Sequence, residues 1–362
     1  MQFIDLQSQQ KLIKNNIDQS ISKVLEHGKY IMGPEVKELE EKLANFTNTK
    51  HAIGCANGTD ALTLALMSIN VKAGDEVIMP AFTYYATAEA VSILGATPIF
   101  IDVDKDTFNI DASLIEDKIT KNTKAIIPVS LFGQCSDMDK INEIAKKYQL
   151  SVIEDAAQSF GAEYKNKKSC NLSDISCTSF FPSKPLGGYG DGGMCFTNND
   201  SLAQKLRSLR IHGQEKKYYH NLIGINSRLD SIQAAILLEK FKLFPDEIKQ
   251  RNIVAQKYDD ALKQKYQIPK IASYNNKSAY AQYTIKLENR SEIQEKLKFQ
   301  NIPTVVYYPV PLPFQTVFKQ YQYQPEDFPI SAQLSKQVLS LPMSPYLKEI
   351  EQQQVIAALL EI

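Results

Sequence analysis

The chain has no excess of charge of either sign, because its 41 Lys and Arg residues are balanced by 41 Asp and Glu residues. It also has no long basic block, so the sequence gives no reason to expect nucleic acid or an anionic membrane as a partner. No apolar run is long enough to cross a bilayer. The first residues lack the basic segment followed by an apolar one that is typical of a secretion signal. We therefore expect a cytoplasmic protein.

Cysteine pairs with the spacing of a metal site are also missing. The five cysteines are scattered along the chain, and no two of them form a Cys-x-x-Cys pair. An odd, scattered set of this kind is typical of reduced thiols in the core of a cytoplasmic protein. We expect no metal site.

The length and the order of the apolar segments predict two domains. A chain of 362 residues exceeds one compact core, so we expect a large domain at residues 1–240 and a small domain at residues 241–362. Two amphipathic helices, 12–25 and 34–46, come first. Short apolar strands then alternate with helices from His51 to Asp155, which indicates an α/β fold with a mostly parallel central sheet.

The composition changes near Phe241. The pattern there predicts one long charged helix that ends at about Lys265. An alternating segment, Ala281–Leu287, is followed by a helix, by a strand that ends at Tyr307–Tyr308, and by a closing helix. This order predicts a smaller C-terminal α+β domain.

A lysine between two prolines is the main candidate for chemistry. Lys184 ends an apolar run, stands between Pro182 and Pro185, and is followed by the glycine-dense loop 187–193. The prolines restrict the backbone, while glycines let a loop pass close to a ligand. A lysine held at the end of a buried strand suits Schiff-base chemistry, since its amine can be partly desolvated and neutral. A surface lysine in a turn is the ordinary alternative.

Three further candidates also lie where strands are predicted to end. Gly58, Thr59 and Asp60 open a helix whose free N–H groups could hold a phosphate. Asp155 follows a strand and could pair with a protonated ring nitrogen, and Tyr84 could stack on a planar cofactor. Each has an ordinary explanation as a helix cap or a core residue. Together with Lys184, they describe one site at the carboxyl edge of the sheet.

Six motifs carry a resemblance to a known family over essentially the whole chain. They are Cys55–Leu62, Phe82–Glu89, Glu154–Ser159, Ser179–Lys184, Arg210–Gly213 and Gly224–Ala235. The chain resembles the DegT-type (DegT/DnrJ/StrS) nucleotide-sugar aminotransferases, which use pyridoxal 5'-phosphate (PLP). The resemblance implies the aspartate-aminotransferase fold, that is, PLP fold type I.

The resemblance assigns the catalytic roles to two residues. Lys184 would form a Schiff base with PLP and move the proton, and Asp155 would pair with the pyridine nitrogen. Gln158 would lie near the ring hydroxyl, and Tyr84 would stack on the ring.

The resemblance also implies how the phosphate is held and why a homodimer is needed. Thr59, Ser179 and the backbone at Gly58 and Asp60 would bind the phosphate. The residue that matches Asn226 reaches the phosphate from the neighbouring subunit in this family, so each site would need two chains. Arg228 would lie near that shared site and contact the sugar nucleotide.

Because the lysine is retained where dehydratase members carry histidine, transamination is favoured over dehydration. The expected amino donor is L-glutamate, which leaves as 2-oxoglutarate. Three segments, 126–135, 168–173 and 280–283, look closest to the C-3 aminotransferases that act on UDP-2-acetamido-2-deoxy-3-oxo-glucuronate, for surface polysaccharide such as the O-antigen of lipopolysaccharide.

Two departures keep other substrates open. Tyr307 and Tyr308 are expected to contact the substrate, but those enzymes tend to have His-Tyr-Pro here, and Ser344 stands where histidine is common. A neutral 3-keto UDP-N-acetylglucosamine, as used for lipid A, is therefore a close rival. A C-4 aminotransferase on a 4-keto-6-deoxy sugar nucleotide and a regulatory homologue without turnover are the remaining alternatives. A nicotinamide enzyme is disfavoured, since the glycines after Lys184 do not open a long helix.

Overall fold

Eleven α-helices and fourteen strands make up the chain, which a computed structural model describes over residues 1–362. The helices are α1 (Leu6–His27), α2 (Pro34–Thr47), α3 (Gly58–Ser68), α4 (Ala86–Ile93), α5 (Met138–Tyr148), α6 (Asp200–Leu209), α7 (Ser231–Phe241), α8 (Phe244–Leu262), α9 (Arg290–Phe299), α10 (Pro329–Gln337) and α11 (Glu349–Glu361). The strands are β1 (His51–Cys55), β2 (Glu76–Pro80), β3 (Thr97–Ile101), β4 (Thr123–Ile126), β5 (Ser151–Asp155), β6 (Glu163–Tyr164), β7 (Lys167–Lys168), β8 (Ile175–Ser179), β9 (Gly193–Thr197), β10 (Gln214–Lys216), β11 (Tyr219–His220), β12 (Asn275–Lys277), β13 (Tyr283–Lys286) and β14 (Val338–Leu341). None of the helices combines the length and the apolarity needed to cross a membrane.

A seven-stranded sheet with the order β1-β9-β8-β5-β4-β2-β3 forms the centre of the large unit. Only β9 runs against its neighbours, so the expectation of a mostly parallel sheet is confirmed. Successive residues of a strand point to opposite faces. Thus Ile78 joins a hydrophobic cluster with α2, α5 and α7, while Val77 and Met79 join a second cluster with α3, α4 and α6.

The five cysteines lie inside this core. All of them are buried and none is paired in a disulfide, as expected for reduced core thiols. Burial raises the pKa of four of the thiols, because the charged thiolate is disfavoured away from water, and the pKa of Cys195 is raised by its hydrogen bond with Cys177 and by burial. They therefore behave as small apolar side chains.

The small unit packs around a third hydrophobic cluster that joins the later part of α8 with α9, β13, β14 and α11. The first turns of α8 belong instead to the large unit, since Phe244 and Ile248 pack in the cluster with α2 and α5. Helix α8 thus connects the two cores. The boundary at residue 240 stays a prediction, and it falls at the last turn of α7.

Of two predictions for the small unit, one is confirmed and one is wrong. The long charged helix that was expected to end at about Lys265 is α8, which runs from Phe244 to Leu262. The strand that was expected to end at Tyr307–Tyr308 is reduced to one isolated bridge between Val305 and Ser340. Prolines at 303, 309, 311 and 313 explain this, because a proline has no N–H to donate to a sheet ladder.

The chain after Tyr308 returns to the large unit before α10 begins. In this return segment, residues 309–328, the amide of Leu312 donates to the Ala81 oxygen at 2.8 Å, and the rings of Phe318 and Phe100 lie 5.2 Å apart. Buried Asp102 then accepts hydrogen bonds from the amides of Ile330 (2.8 Å) and Ser331 (2.9 Å). A large-unit side chain therefore caps α10 of the small unit.

This long-range cap predicts a stability effect. Replacing Asp102 with Ala leaves the first amides of α10 buried without an acceptor, so the free energy of unfolding should fall by about 1–3 kcal/mol in urea titrations. Asp139→Ala is the control, since its side chain makes only an exposed ion pair with Lys165 and should change little. Equal effects of the two variants would refute the capping role.

Candidate active site

A cavity of ≈ 460 Å³ opens where the parallel strands end. Its wall takes residues from just after β1, β2, β4, β5 and β8, and it is completed by Gln282, Tyr307 and Tyr308 of the small unit. This volume lies in the range of small-molecule sites. The expectation that the candidates at strand ends lie together is confirmed for Lys184, Asp155 and most of the others.

Lys184 is held by a tight loop. Its amide donates to the oxygen of Phe181 at 2.8 Å, and a Cβ on Gly187 would come within 2.4 Å of the Pro182 oxygen, so only glycine fits there. Burial lowers the pKa of the Lys184 amine, and the negative charge of Asp155 partly opposes this effect. No ion pair includes Lys184, which leaves its amine free to react.

Asp155 ends β5 and is buried. Its Oδ2 accepts a hydrogen bond from Oγ1 of Thr87 at 2.9 Å, and its Oδ1 accepts one from the amide of Ala157 at 3.2 Å. Burial raises the pKa of the Asp155 carboxyl, while the two donors and Lys184 pull it down. A positive group placed against this carboxylate would offset the cost of burial.

Glu154 points the other way, as alternation along a strand requires. Its carboxylate accepts hydrogen bonds from the hydroxyls of Ser130, Ser169 and Ser176 and from the amide of Cys170. It is therefore a structural residue that ties β5 to its neighbours.

The start of α3 offers free donors to an anion. Oδ1 of Asn57 accepts the amide of Asp60 at 2.8 Å, but the amides of Gly58 and Thr59 have no acceptor. A Cβ on Gly58 would lie 2.7 Å from Cβ of Ser179, so the two residues form a close-fitting cradle. The geometry supports Gly58, Thr59 and Ser179 as phosphate ligands, whereas the amide of Asp60 is already used.

Two aromatic rings and an amide form another part of the wall. Tyr84 is 59% exposed and its ring lies 6.1 Å from that of Tyr308, so one face of Tyr84 is open to a planar ligand. Nε2 of Gln158 donates to the Tyr308 hydroxyl at 3.0 Å, and Oε1 accepts the amide of Phe132 at 2.8 Å. Gln158 therefore fixes Tyr308 as well as lining the cavity.

Two of the predicted site residues lie outside the cavity of their own chain. Asn226 is exposed and forms only an isolated bridge with Ile211. Arg228 is half-buried, and its Nε has no hydrogen-bond partner. Neither belongs to the cavity wall that contains Lys184.

Sequence reasoning missed three polar residues of this site. Thr87 lies one helical turn after Tyr84, and that spacing could have marked it. Asn57 lies in the Cys55–Leu62 motif, and its side chain caps the start of α3. Gln282 lies in the 280–283 segment that carries the resemblance to the C-3 enzymes, but the sequence alone did not show that this part of the small unit reaches the cavity.

The comparisons with known proteins agree with this geometry. Residues 11–360 match the DegT/DnrJ/EryC1/StrS aminotransferase family. The chain belongs to that family. The aminotransferase is 53% identical over 359 residues to the UDP-2-acetamido-2-deoxy-3-oxo-D-glucuronate aminotransferase of Pseudomonas aeruginosa, with 99% of each chain covered. It is 41% identical over 349 residues to the UDP-N-acetyl-3-dehydro-alpha-D-glucosamine 3-aminotransferase of Acidithiobacillus ferrooxidans, with 96% and 94% covered.

Solved structures confirm the expected fold. A DegT/DnrJ/EryC1/StrS aminotransferase from Brucella abortus superposes with a TM-score of 0.96 at 44% identity, covering 100% of this chain and 99% of that one. NtdA from Bacillus subtilis with bound cofactor PMP superposes with a TM-score of 0.91 at 33% identity, covering 99% and 82%. Since the family is PLP-dependent, the expected cofactor is confirmed as well.

The cavity of this aminotransferase fits PLP. The unpaired amides of Gly58 and Thr59 suit a phosphate, buried Asp155 suits a protonated ring nitrogen, and the open face of Tyr84 suits an aromatic ring. Lys184 brings a desolvated amine into the same cavity.

Thr87 provides a test through pH dependence. Removing its hydroxyl in Thr87→Val should raise the pKa of Asp155 further, so the acid limb of the kcat/KM profile should move to higher pH. The Thr284 hydroxyl is also buried, but it pairs with Ser340 in the small unit, so Thr284→Val should leave the limb in place. A limb that moves to lower pH, or not at all, in Thr87→Val would contradict the assignment.

Proposed function

We propose that this aminotransferase moves the amino group of L-glutamate to C-3 of UDP-2-acetamido-2-deoxy-3-oxo-glucuronate. The product is a UDP-2,3-diamino sugar for surface polysaccharide. The observation that carries this proposal is 53% identity over 99% of both chains to an enzyme named for that substrate. The intact pair Lys184 and Asp155, in one cavity, supports turnover.

The contacts described above support a role for each of the expected cofactor ligands. We propose that Gly58, Thr59 and Ser179 bind the phosphate and that Asp155 accepts the proton of the ring nitrogen. Tyr84 would cover one face of the ring, and Gln158 would lie beside its hydroxyl. When bound, PLP supplies a carbonyl carbon that accepts amines and a conjugated ring that accommodates the electron pair released at the neighbouring carbon.

Lys184 has two tasks in this proposal. Burial lowers the pKa of its amine, which favours the neutral form that acts as a nucleophile. Its Nζ would also be the group that takes up and returns a proton at the reacting carbon of the substrate. Both tasks need a desolvated lysine, which the 182–187 loop provides.

Whether the site accepts a carboxylate at C-6 of the sugar depends on the cationic side chains that it contains. Lys184 is the one cationic side chain in the cavity wall of a single chain. A uronate would therefore need a cation from elsewhere, and we propose Arg228 of a second subunit, with Tyr307 and Tyr308 contacting the sugar. Neutral 3-keto UDP-N-acetylglucosamine is the second candidate, since a single chain offers no spare cation and the relative at 41% identity is named for that substrate.

A homodimer is the assembly that would bring Arg228 and Asn226 into a site. Both residues lie outside their own cavity, and large apolar side chains are exposed nearby: Tyr30 (47%), Ile31 (50%), Met32 (42%) and Ile223 (90%). Exposed large apolar side chains are typical of protein interfaces, which supports this assembly. We infer that this aminotransferase works in the cytoplasm, where reduced thiols such as its five cysteines persist.

The function is tested by product analysis. The purified protein should bind PLP, release 2-oxoglutarate from L-glutamate, and convert the 3-keto uronate to its 3-amino product by mass spectrometry, faster than the neutral 3-keto or a 4-keto sugar. Lys184→Ala should lose at least about 1,000-fold in rate, since nucleophile and proton carrier go together. Borohydride reduction should label the peptide that contains Lys184. A wild-type protein that acts faster on the neutral or 4-keto sugar would refute the assigned substrate.

The shared site is tested by mixing variants. Lys184→Ala and Arg228→Ala homodimers should each be impaired, but a heterodimer would contain one site with both native residues. Equal mixing after reversible dissociation should therefore restore about a quarter of wild-type activity, since half of the dimers are mixed and each has one intact site. Activity that equals the mean of the two homodimers would show that Arg228 does not act across the interface.

A further inference from the structure

Gln282 has a side-chain amide that pairs with nothing in the protein. The residue is 7% exposed and lies in the wall of the cavity that contains Lys184. Its Oε1 is buried without a hydrogen-bond partner, and its Nε2 makes no hydrogen bond either. A buried polar atom without a partner lowers the stability of the fold, so such an atom calls for an explanation.

The other buried glutamines of the protein all have hydrogen-bond partners for their side-chain amides. Gln9 donates to Glu247, Gln134 to the Lys270 oxygen, Gln158 to Tyr308, and Gln352 to the Val254 oxygen. All four are as buried as Gln282. Only the glutamine that lines the cavity from the small unit lacks a partner.

The backbone around Gln282 is held firmly. Nη1 of buried Arg251 donates to the oxygen of Tyr280 at 3.1 Å, and the amide of Ala279 donates to the oxygen of Gly133 at 2.7 Å. Nδ2 of Asn252 also donates to the Ser278 oxygen at 2.9 Å. The unpaired amide is therefore presented by a fixed segment that spans both units, and it is not a consequence of a loose loop.

The polar groups of PLP do not need Gln282. The phosphate, the ring nitrogen and the ring hydroxyl are matched by the Gly58–Ser179 cradle, by Asp155 and by Gln158. The ligand that is left to pair with the Gln282 amide is the substrate. An uncharged amide offers one acceptor and two donors, which complements hydroxyl or acetamido groups and lacks the charge that would pair with a carboxylate.

We propose that Gln282 binds the sugar ring of the nucleotide-sugar substrate through an uncharged donor group, a hydroxyl or the acetamido N–H, beside the carbonyl carbon that reacts. This inference rests on the proposed function. The glutamate step makes no use of the contact, because the donor amino acid carries no sugar ring. Gln282 thus distinguishes the two substrates that take turns in one cavity.

Gln282→Met tests the proposal, because methionine keeps the length of the side chain and removes both polar atoms. The variant should melt at the wild-type temperature or higher, since an unpaired buried polar group has been removed. The single-turnover rate with L-glutamate should be unchanged. The kcat/KM for the keto-sugar should fall about tenfold or more, because one hydrogen bond to the substrate is lost.

Gln352→Met is the matched control. It removes a buried glutamine of the small unit whose amide is paired with Val254, so it should lower the melting temperature and leave kcat/KM for the keto-sugar intact. An analogue with hydroxyl in place of the acetamido group identifies the donor. The difference between wild type and Gln282→Met should vanish with this analogue if acetamido is the donor, and persist if a ring hydroxyl is.

Three results would overturn the inference. They are a loss of stability in Gln282→Met like that of the control, equal losses in the glutamate and sugar steps, and undiminished use of the keto-sugar. A wild-type protein that releases 2-oxoglutarate but aminates no keto-sugar would instead refute the proposed function, and the inference with it. The glutamate step separates these cases, since it is measured without any sugar.

Discussion

A carboxylate buried at the end of a parallel strand is the constraint on which this active site depends. Asp155 has two hydrogen-bond donors, yet burial still raises its pKa. Its charge is best stabilised by a cation in the cavity. Lys184 lines the same cavity but forms no ion pair with it, and in the proposed function the protonated ring of the cofactor supplies that cation. The same burial that raises the pKa of Asp155 lowers that of Lys184, which makes the lysine a better nucleophile.

The small unit completes the site because the chain crosses between the units several times. Helix α8 starts in the core of the large unit and ends in that of the small one. The return segment then packs against the large unit, and Asp102 of the large unit accepts the first amides of α10. Tyr307 and Tyr308 lie between two such anchors, the Val305 bridge and the Leu312 contact. Their placement therefore follows from contacts far apart in the sequence.

The sequence predicts features that depend on local patterns, and it does not predict contacts between residues that are far apart in the chain. Lys184, Asp155, Gly58 and Tyr84 each follow a local pattern of strand, turn and helix, and the rule that parallel strands end at one edge brings them together. The strand at Tyr307–Tyr308 was predicted wrongly, because β-branched and aromatic residues favour a strand but the prolines beside them interrupt the ladder. No local pattern marked Gln282 as a residue of the cavity, although its segment, 280–283, entered through the resemblance. Its importance lies in a missing hydrogen bond, which only the folded chain reveals.

Several unsatisfied groups of the chain lie where ligands are expected. The free amides of Gly58 and Thr59, the open face of Tyr84, the buried charge of Asp155 and the unpaired amide of Gln282 all face one cavity. Glu154 and the four other buried glutamines are paired, whereas one buried atom each of Glu35, Arg210, Arg228, Arg251 and Arg290 also lacks a partner outside this cavity. Each unpaired group in the cavity lowers the stability of the free chain and is compensated when a ligand pairs with it. In the proposed function, cofactor and substrate supply those partners, so that binding of both is coupled to the stability of the fold.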